Sequence, residues 1–339
     1  MVYNTEILHA DKISIAKAAE LIKQGEIVGM PTETVYGLAA NALDPSAVSK
    51  IFIAKGRPQD NPLIVHISNF DMLDGLADNI PKLAVKCAEK FWPGPLTMIL
   101  PKTDKIPMVT SGGLNTVGIR MPSNDTARKL IEVCGLTLAA PSANLSGSPS
   151  PTSACHVYDD MNGRIPCILD DGRCAVGVES TVIAFEEDSI RLLRPGFISV
   201  SDLAEITENI IVDNGVLNTV ADGTAVASPG MKYKHYSPKA DVTIIDGTLG
   251  KFRKFISEHN DEKTWCMTFS EEDIQGINCH ALVYGSDDKA RAKMLFDVLR
   301  ELDKAGAEKV YARCPEKRGV DLAVYNRLLR AAGFKVIKL

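Results

Sequence analysis

Two cations separated by one glycine, Lys55-Gly56-Arg57, run into Pro58-Gln59-Asp60-Asn61-Pro62-Leu63, and Ser142-Ala143-Asn144 follows far downstream. These are the residues best equipped for chemistry. A guanidinium grips two oxygens at once while an ammonium acts as a point charge, so the pair on a proline-bounded turn suits a polyphosphate. The hydroxyl and amide of the Ser-x-Asn triplet add the donors and acceptors that a nucleotide uses. The scaffold is not a Walker loop: no G-x-x-x-x-G-K-[ST] occurs, and Gly250-Lys251 lacks both the earlier glycine and the following hydroxyl.

Such residues need a frame, and hydrophobic periodicity supplies one of alternating strands and helices. Helices are predicted over 13–23, 47–55 and 82–91, the second ending at Gly56 and the third stopped by Trp92-Pro93-Gly94-Pro95. Strands are predicted over 26–30, 63–67, 96–100, 117–120, 137–140, 167–170, 180–185 and 190–193. Many short strands with few long helices predict an α/β fold built on an open twisted mixed sheet with flanking helices, not a regular doubly wound one. From about 208 to 239 the periodicity gives way to Asn, Gly, Thr, Ala, Ser and Pro, a long stretch for a connection inside one domain. Alternation then resumes, with strands over 242–245, 264–269, 281–284, 310–312 and 335–338 and helices over 252–258, 290–305 and 322–332. That pattern predicts a smaller Rossmann-like α/β domain. It carries no G-x-G-x-x-G, which argues against a dinucleotide role. The expected division is 1–206 as catalytic domain, 207–240 as linker or lid and 241–339 as the C-terminal domain.

Composition bounds the rest. At 339 residues the chain exceeds what one hydrophobic core ordinarily serves, and 45% apolar with 24% charged residues is ordinary for a globular protein. A net charge of −5 gives no global attraction for nucleic acid. No apolar run reaches membrane-spanning length and the N-terminus lacks a signal-peptide pattern, so a cytoplasmic protein with no membrane partner is expected. The eight cysteines show no C-x-x-C pair and no matching histidine spacing for zinc, and are expected as reduced thiols, mostly small buried hydrophobes.

Seven segments in order carry a more specific signal: Pro31-Thr32-Glu33-Thr34-Val35-Tyr36-Gly37-Leu38, the Lys55-to-Leu63 stretch, Phe91-Trp92-Pro93-Gly94-Pro95-Leu96-Thr97, Val117-Gly118-Ile119-Arg120-Met121-Pro122, Pro141-Ser142-Ala143-Asn144-Leu145-Ser146-Gly147, Glu179-Ser180-Thr181-Val182-Ile183 and Leu193-Arg194-Pro195-Gly196. The set closely resembles the YrdC/Sua5 family, the L-threonylcarbamoyladenylate synthases. The Pro229-Gly230-Met231-Lys232-Tyr233-Lys234-His235-Tyr236-Ser237-Pro238 stretch and the C-terminal domain make the longer Sua5 type the closer match. The resemblance implies a nucleotidyltransferase that converts L-threonine, bicarbonate or CO2, and ATP into L-threonylcarbamoyl-AMP, pyrophosphate and water. The product feeds N6-threonylcarbamoylation of adenosine 37 in tRNA, performed by a separate threonylcarbamoyltransferase.

Carried onto this sequence, the family pattern places Lys55, Arg57, Asn61, Thr116, Ala140, Ser142, Asn144, Ser150, Arg194 and Tyr236 on ATP. Thr34, His66, Arg120 and Ser180 take the threonine positions, with Arg120 the natural partner of a carboxylate and His66 a candidate base toward the amine. Tyr36 either shapes that pocket or packs as a core aromatic. Lys232, Lys234 and His235 are expected, with Tyr236, to form a lid over the nucleotide. No covalent nucleophile is needed, because the threonine amine attacks CO2 and the carbamate oxygen then attacks the α-phosphorus. Mg2+ is expected to arrive with ATP, and neither Glu33 nor Asp60 is assigned as a ligand. Tribal kinship of fold leaves one other class open, an RNA-binding or ribosome-maturation module, against which the acidic balance and the lack of stacking aromatics argue. A carbamoyl-adenylate enzyme of hydrogenase maturation would need acylphosphatase-like and zinc-finger segments that the sequence lacks.

Overall fold

A computed structural model describes residues 3–218 and 235–339. These fall into two compact units: 3–146, 150–175 and 179–218 form the first, while 147–149, 176–178 and 235–339 form the second.

In the first unit the strands are β1 (Glu6–His9), β2 (Val28–Met30), β3 (Gly37–Asn41), β4 (Ile64–His66), β5 (Leu96–Pro101), β6 (Thr116–Arg120), β7 (Leu138–Ala139), β8 (Cys167–Asp170), β9 (Thr181–Glu186), β10 (Ser189–Arg194) and β11 (Ile210–Val212). They build one sheet in the order β1-β8-β2-β3-β7-β4-β6-β5-β9-β10-β11. Pairing is mixed: β4 runs parallel to β6 and β5 to β9, whereas β5 is antiparallel to β6 and β7 to both β3 and β4. The helices are α1 (Lys12–Lys23), α2 (Pro45–Lys55), α3 (Lys82–Phe91), α4 (Met108–Ser111), α5 (Asp125–Cys134), α6 (Ala154–Met161) and α7 (Val200–Ala204).

Local chemistry explains the helix that matters most to the site. Asp44 caps α2 by accepting from Ser46 N at 2.9 Å, and Pro45 occupies the first turn, where its missing N–H costs nothing. Gly56 ends the helix in the left-handed region at φ 61°, a conformation that glycine adopts without strain. Lys55 is therefore the last helical residue and Arg57 leaves in a new direction. Elsewhere on the sheet, α1 buries Ile15, Ala18, Ala19 and Ile22 in one cluster with Ala127, Leu130 and Ile131 of α5.

The second unit holds β12 (Asp241–Asp246), α8 (Leu249–His259), β13 (Thr264–Thr268), β14 (His280–Val283), α9 (Asp288–Lys304), β15 (Lys309–Arg313), α10 (Asp321–Ala331) and β16 (Val336–Lys338). Its five strands are all parallel, in the order β14-β13-β15-β12-β16. Val242, Ile244, Ile245, Cys266, Met267 and Val310 are buried, the apolar run expected of parallel strands covered by helices on both faces.

Periodicity located nearly every expected element to within two or three residues. It missed β1, β3, α4, α5, α6 and α7, and β11 lies inside the stretch read as a linker, pairing parallel with β10. No described helix is long and apolar enough to cross a membrane.

Candidate active site

The parallel pairing of β4 with β6 sets His66 opposite Arg120, and the antiparallel pairing of β5 with β6 sets Thr97 opposite the same arginine. Residues opposite one another share a face of the sheet, so imidazole, guanidinium and hydroxyl stand in a row. Arg120 Nη1 donates to Thr34 Oγ1 at 2.9 Å, and Nη2 lies 2.8 Å from Glu33 Oε1. Arg120 Nε is buried without a partner among the described residues. Thr32 fixes the turn that delivers Glu33 and Thr34: its hydroxyl accepts from Thr34 N at 3.1 Å and donates to Val35 O at 2.7 Å. Burial pushes the Glu33 carboxyl up, but the charge and hydrogen bond of Arg120 outweigh it and hold the pKa below the usual value.

Ser180 continues this end of the site. Its hydroxyl lies 2.7 Å from Thr97 Oγ1, and Arg194 clamps it from the far side, with Nε on Ser180 O at 3.1 Å and Nη2 on Ser180 Oγ at 3.2 Å. Thr34, His66, Arg120 and Ser180 are thus assembled as one buried group. His66, the candidate base, is buried opposite Arg120. Burial first, and the neighbouring Arg120 charge second, lower its pKa to about 3. An imidazole so shifted is neutral at ordinary pH and a weak base.

At the other end, Lys55 is buried and donates from Nζ to Ser142 O, and to Asn144 O at 2.6 Å. Ser146 N returns a hydrogen bond to Lys55 O at 2.9 Å. The lysine and the Ser-x-Asn triplet, read in sequence as separate phosphate and nucleotide contacts, are one joined structure. An ammonium has three donors, and two go to this loop, so one is left for a phosphate. Burial and the charge of Arg57 press the Lys55 pKa well below its usual value, opposed by Asp160 and Glu179. Asp160 also accepts from Leu145 N at 3.3 Å. The 140–144 segment is seated by Ala140 N on Ile64 O at 3.1 Å, Leu38 N on Pro141 O at 2.8 Å and Ala143 N on Tyr36 O at 2.8 Å. Gly37 permits this approach, since a Cβ there would meet Ala140 Cβ at 3.1 Å.

The remaining candidates are placed less simply. Asn61 is buried, with Oδ1 lacking a partner among the described residues. Ser150 donates its hydroxyl to Glu179, so any phosphate contact must share that hydroxyl with a carboxylate. Thr116 begins β6 while Arg120 ends it, about 13 Å apart at the usual strand rise, so the structure does not bring Thr116 to the arginine pocket. Tyr36 proves to be an anchor: its hydroxyl donates to Gly172 O at 2.6 Å and accepts from Asp171 N at 3.2 Å, and burial raises its pKa. Tyr236 packs within the second unit, its ring 5.3 Å from that of Phe296 and 5.8 Å from the Arg327 guanidinium. The His235 ring lies tilted beside it, 5.5 Å between centroids. Lys232 and Lys234 lie outside the described residues.

Sequence reasoning left out Glu33, Thr97, Asp160 and Glu179. Glu33, Thr97 and Glu179 were visible inside the quoted motifs, but only strand register and loop docking give them partners. No group of three or more histidine, cysteine or acidic side chains suited to a metal occurs among the described residues.

Fold and site together define a two-unit α/β protein whose first unit holds a buried Arg120–Glu33 group and a buried Lys55 joined to the Ser142–Asn144 loop. A family model described as telomere recombination, labelled Sua5_yciO_yrdC, matches residues 20–196, and one described as threonylcarbamoyl-AMP synthase, C-terminal domain, matches 198–333. The chain belongs to this family, the threonylcarbamoyl-AMP synthases, which are enzymes of the nucleotidyltransferase type. It is 45% identical to the threonylcarbamoyl-AMP synthase of Pyrococcus abyssi over 95% of each chain. It is 42% identical to that of Bacillus subtilis over 98% of this chain and 97% of the other. The crystal structure of Pyrococcus abyssi Sua5 complexed with L-threonine superposes with a TM-score of 0.91 over the whole of both chains, at 42% identity.

Proposed function

We propose that the arginine pocket binds L-threonine and that the Lys55 end binds MgATP, so that the chain makes L-threonylcarbamoyl-AMP from threonine, bicarbonate or CO2, and ATP. The observation that carries the reading is the buried Arg120 Nε, a charged donor left open between His66 and Thr97 while its Nη atoms are fixed on Thr34 and Glu33. A substrate carboxylate is the group that such a donor suits. Ser180 and neutral His66 orient the amino acid, and Arg194, which also holds Ser180, contacts ATP.

The threonine amine adds to the carbon of CO2 and loses a proton, giving a carbamate. A carbamate oxygen then attacks the α-phosphorus of ATP, and the bond from that phosphorus to the bridging oxygen breaks to release pyrophosphate. Starting from bicarbonate, one water is also lost. The residues serve by placing the reactants and offsetting charge, which suffices for in-line transfer without a covalent enzyme intermediate. Mg2+ enters as part of the nucleotide substrate, held by its phosphates and waters. Such a product suits a cytoplasmic enzyme that supplies a tRNA threonylcarbamoyltransferase.

Pyrophosphate release is the test. Release that needs ATP, L-threonine and bicarbonate together, and falls with serine, is expected. Release independent of the amino acid, or salt-sensitive tRNA binding without any adenylate formed, would instead favour the RNA-binding reading.

A further inference from the structure

Outside the site just described, two thiols of the second unit face each other without any assigned purpose. Cys266 lies in β13, fully buried among Ile245, Phe252 and Ile256, and Cys279 sits immediately before β14 at the edge of the same core. Their Sγ atoms are 3.0 Å apart, against about 2.05 Å for a covalent S–S bond, so closure needs a movement of about 1 Å. β13 and β14 are neighbouring parallel strands with Trp265 opposite His280, which fixes both backbones on either side of the pair. No other cysteine makes a sulfur–sulfur contact that the described residues record.

The two sulfurs are unequal. Cys279 is half-buried and lines an open depression with Asn260, Asp261, Glu262, Asn278 and His280, so a small reagent can reach it. Cys266 has no exposure and can be reached only by Cys279. Either sulfur can donate in the contact between them, so access sets the roles: Cys279, the reachable sulfur, is the attacking thiol and Cys266, buried behind it, the resolving one. All eight cysteines are free thiols, as expected, and this pair is set apart by its sulfur–sulfur contact.

We propose that Cys279 and Cys266 are a redox modification site, with Cys279 attacking a peroxide or a small-molecule disulfide and Cys266 resolving the product into an intramolecular disulfide. With hydrogen peroxide, the Cys279 thiolate takes one oxygen as the O–O bond breaks, giving a sulfenic acid and releasing water. The Cys266 sulfur then displaces that oxygen as a second water, so two thiols are oxidised by two electrons and one peroxide is reduced. With a glutathione-type disulfide, Cys279 first forms the mixed disulfide and Cys266 expels the second thiol by exchange.

The full-length protein, treated with a few-fold excess of peroxide and then alkylated after unfolding, reads the outcome directly. Loss of two of eight thiols, a mass decrease of about 2 Da and a peptide linking Cys266 to Cys279 are expected, all reversed by dithiothreitol. Cys279→Ser should keep its remaining seven thiols under the same treatment, and Cys155→Ser, which removes the exposed cysteine, should still form the link. Eight thiols surviving, oxidation confined to Cys155, or Cys279 trapped as sulfinic acid with Cys266 still free would each overturn the proposal. A folded state for Cys279→Ser, checked by its thermal melt, separates loss of the link from loss of structure.

Discussion

Arg120 Nη2 stands 2.8 Å from Glu33 Oε1 with both side chains almost wholly buried, so the cation offered to a substrate is already matched by a protein anion. A pair with no net charge suits an amino acid, which arrives carrying both signs itself. Glu33 also holds the guanidinium, whose Nε is buried without a partner among the described residues.

Glu33→Gln keeps the shape and removes the anion, leaving the Arg120 charge buried with only an amide beside it. Stability should fall by roughly 3 kcal/mol, as for other half-broken buried pairs. The KM for threonine should rise at least tenfold while that for ATP stays within about twofold, since only one end of the site is touched. Urea unfolding and pyrophosphate release over a threonine titration check both. Unchanged stability together with an unchanged threonine KM would show the pair to be incidental.

His66 stays neutral down to about pH 3, so activity between roughly pH 5.5 and 8.5 should carry no inflection from it, and His66→Gln should lower the rate without changing the shape of the profile. Stability behaves differently. In the unfolded chain this imidazole takes up a proton below about pH 6.5, whereas the folded protein resists until about 3, so its contribution is complete above 6.5 and drains away between those values. Acid unfolding of His66→Gln should therefore be the shallower over that window. A rate profile that loses an inflection near neutrality in His66→Gln would instead support the base role.

Lys55 and Arg57 should separate although one residue divides them. Lys55→Met removes two hydrogen bonds from a charged donor to the carbonyls of Ser142 and Asn144, so it should both destabilise the first unit and lower kcat/KM for ATP, by roughly 100-fold. Arg57→Ala, at a half-buried turn, should weaken ATP with little effect on the melting temperature. Calorimetric melts beside ATP titrations distinguish them, and equal loss of stability in both variants would contradict the division.

Tyr36→Phe removes the hydroxyl that ties the 171–172 turn to the segment leading into β3. A cost of about 1–2 kcal/mol with an unchanged threonine KM is expected, because the ring remains packed. An altered KM at full stability would put Tyr36 back among the pocket residues.

How far the sequence could be read follows from the range of each interaction. The helix α2, its glycine stop and the position of Arg57 beyond it depend on residues within a turn or two, and were legible. β3, by contrast, is a short buried strand whose Gly37-Leu38-Ala39-Ala40 shows no alternation, and α5 and α6 are short helices masked by polar loops. The order of motifs sufficed to name the family and to collect Thr34, His66, Arg120 and Ser180. It said nothing of which one touches which.

By itself, then, the sequence determined the two α/β patterns, the caps and turns, and the chemical types gathered for a carboxylate and a phosphate chain, since these follow from neighbours along the chain. Tertiary structure alone decided that Lys55 grips carbonyls 87 and 89 residues away, that Arg120 donates to a threonine 86 residues away, and that His66 is buried and neutral. The physical reason is that strand register and burial, which set partners and pKa values, arise only when segments distant in sequence share one sheet and exclude water.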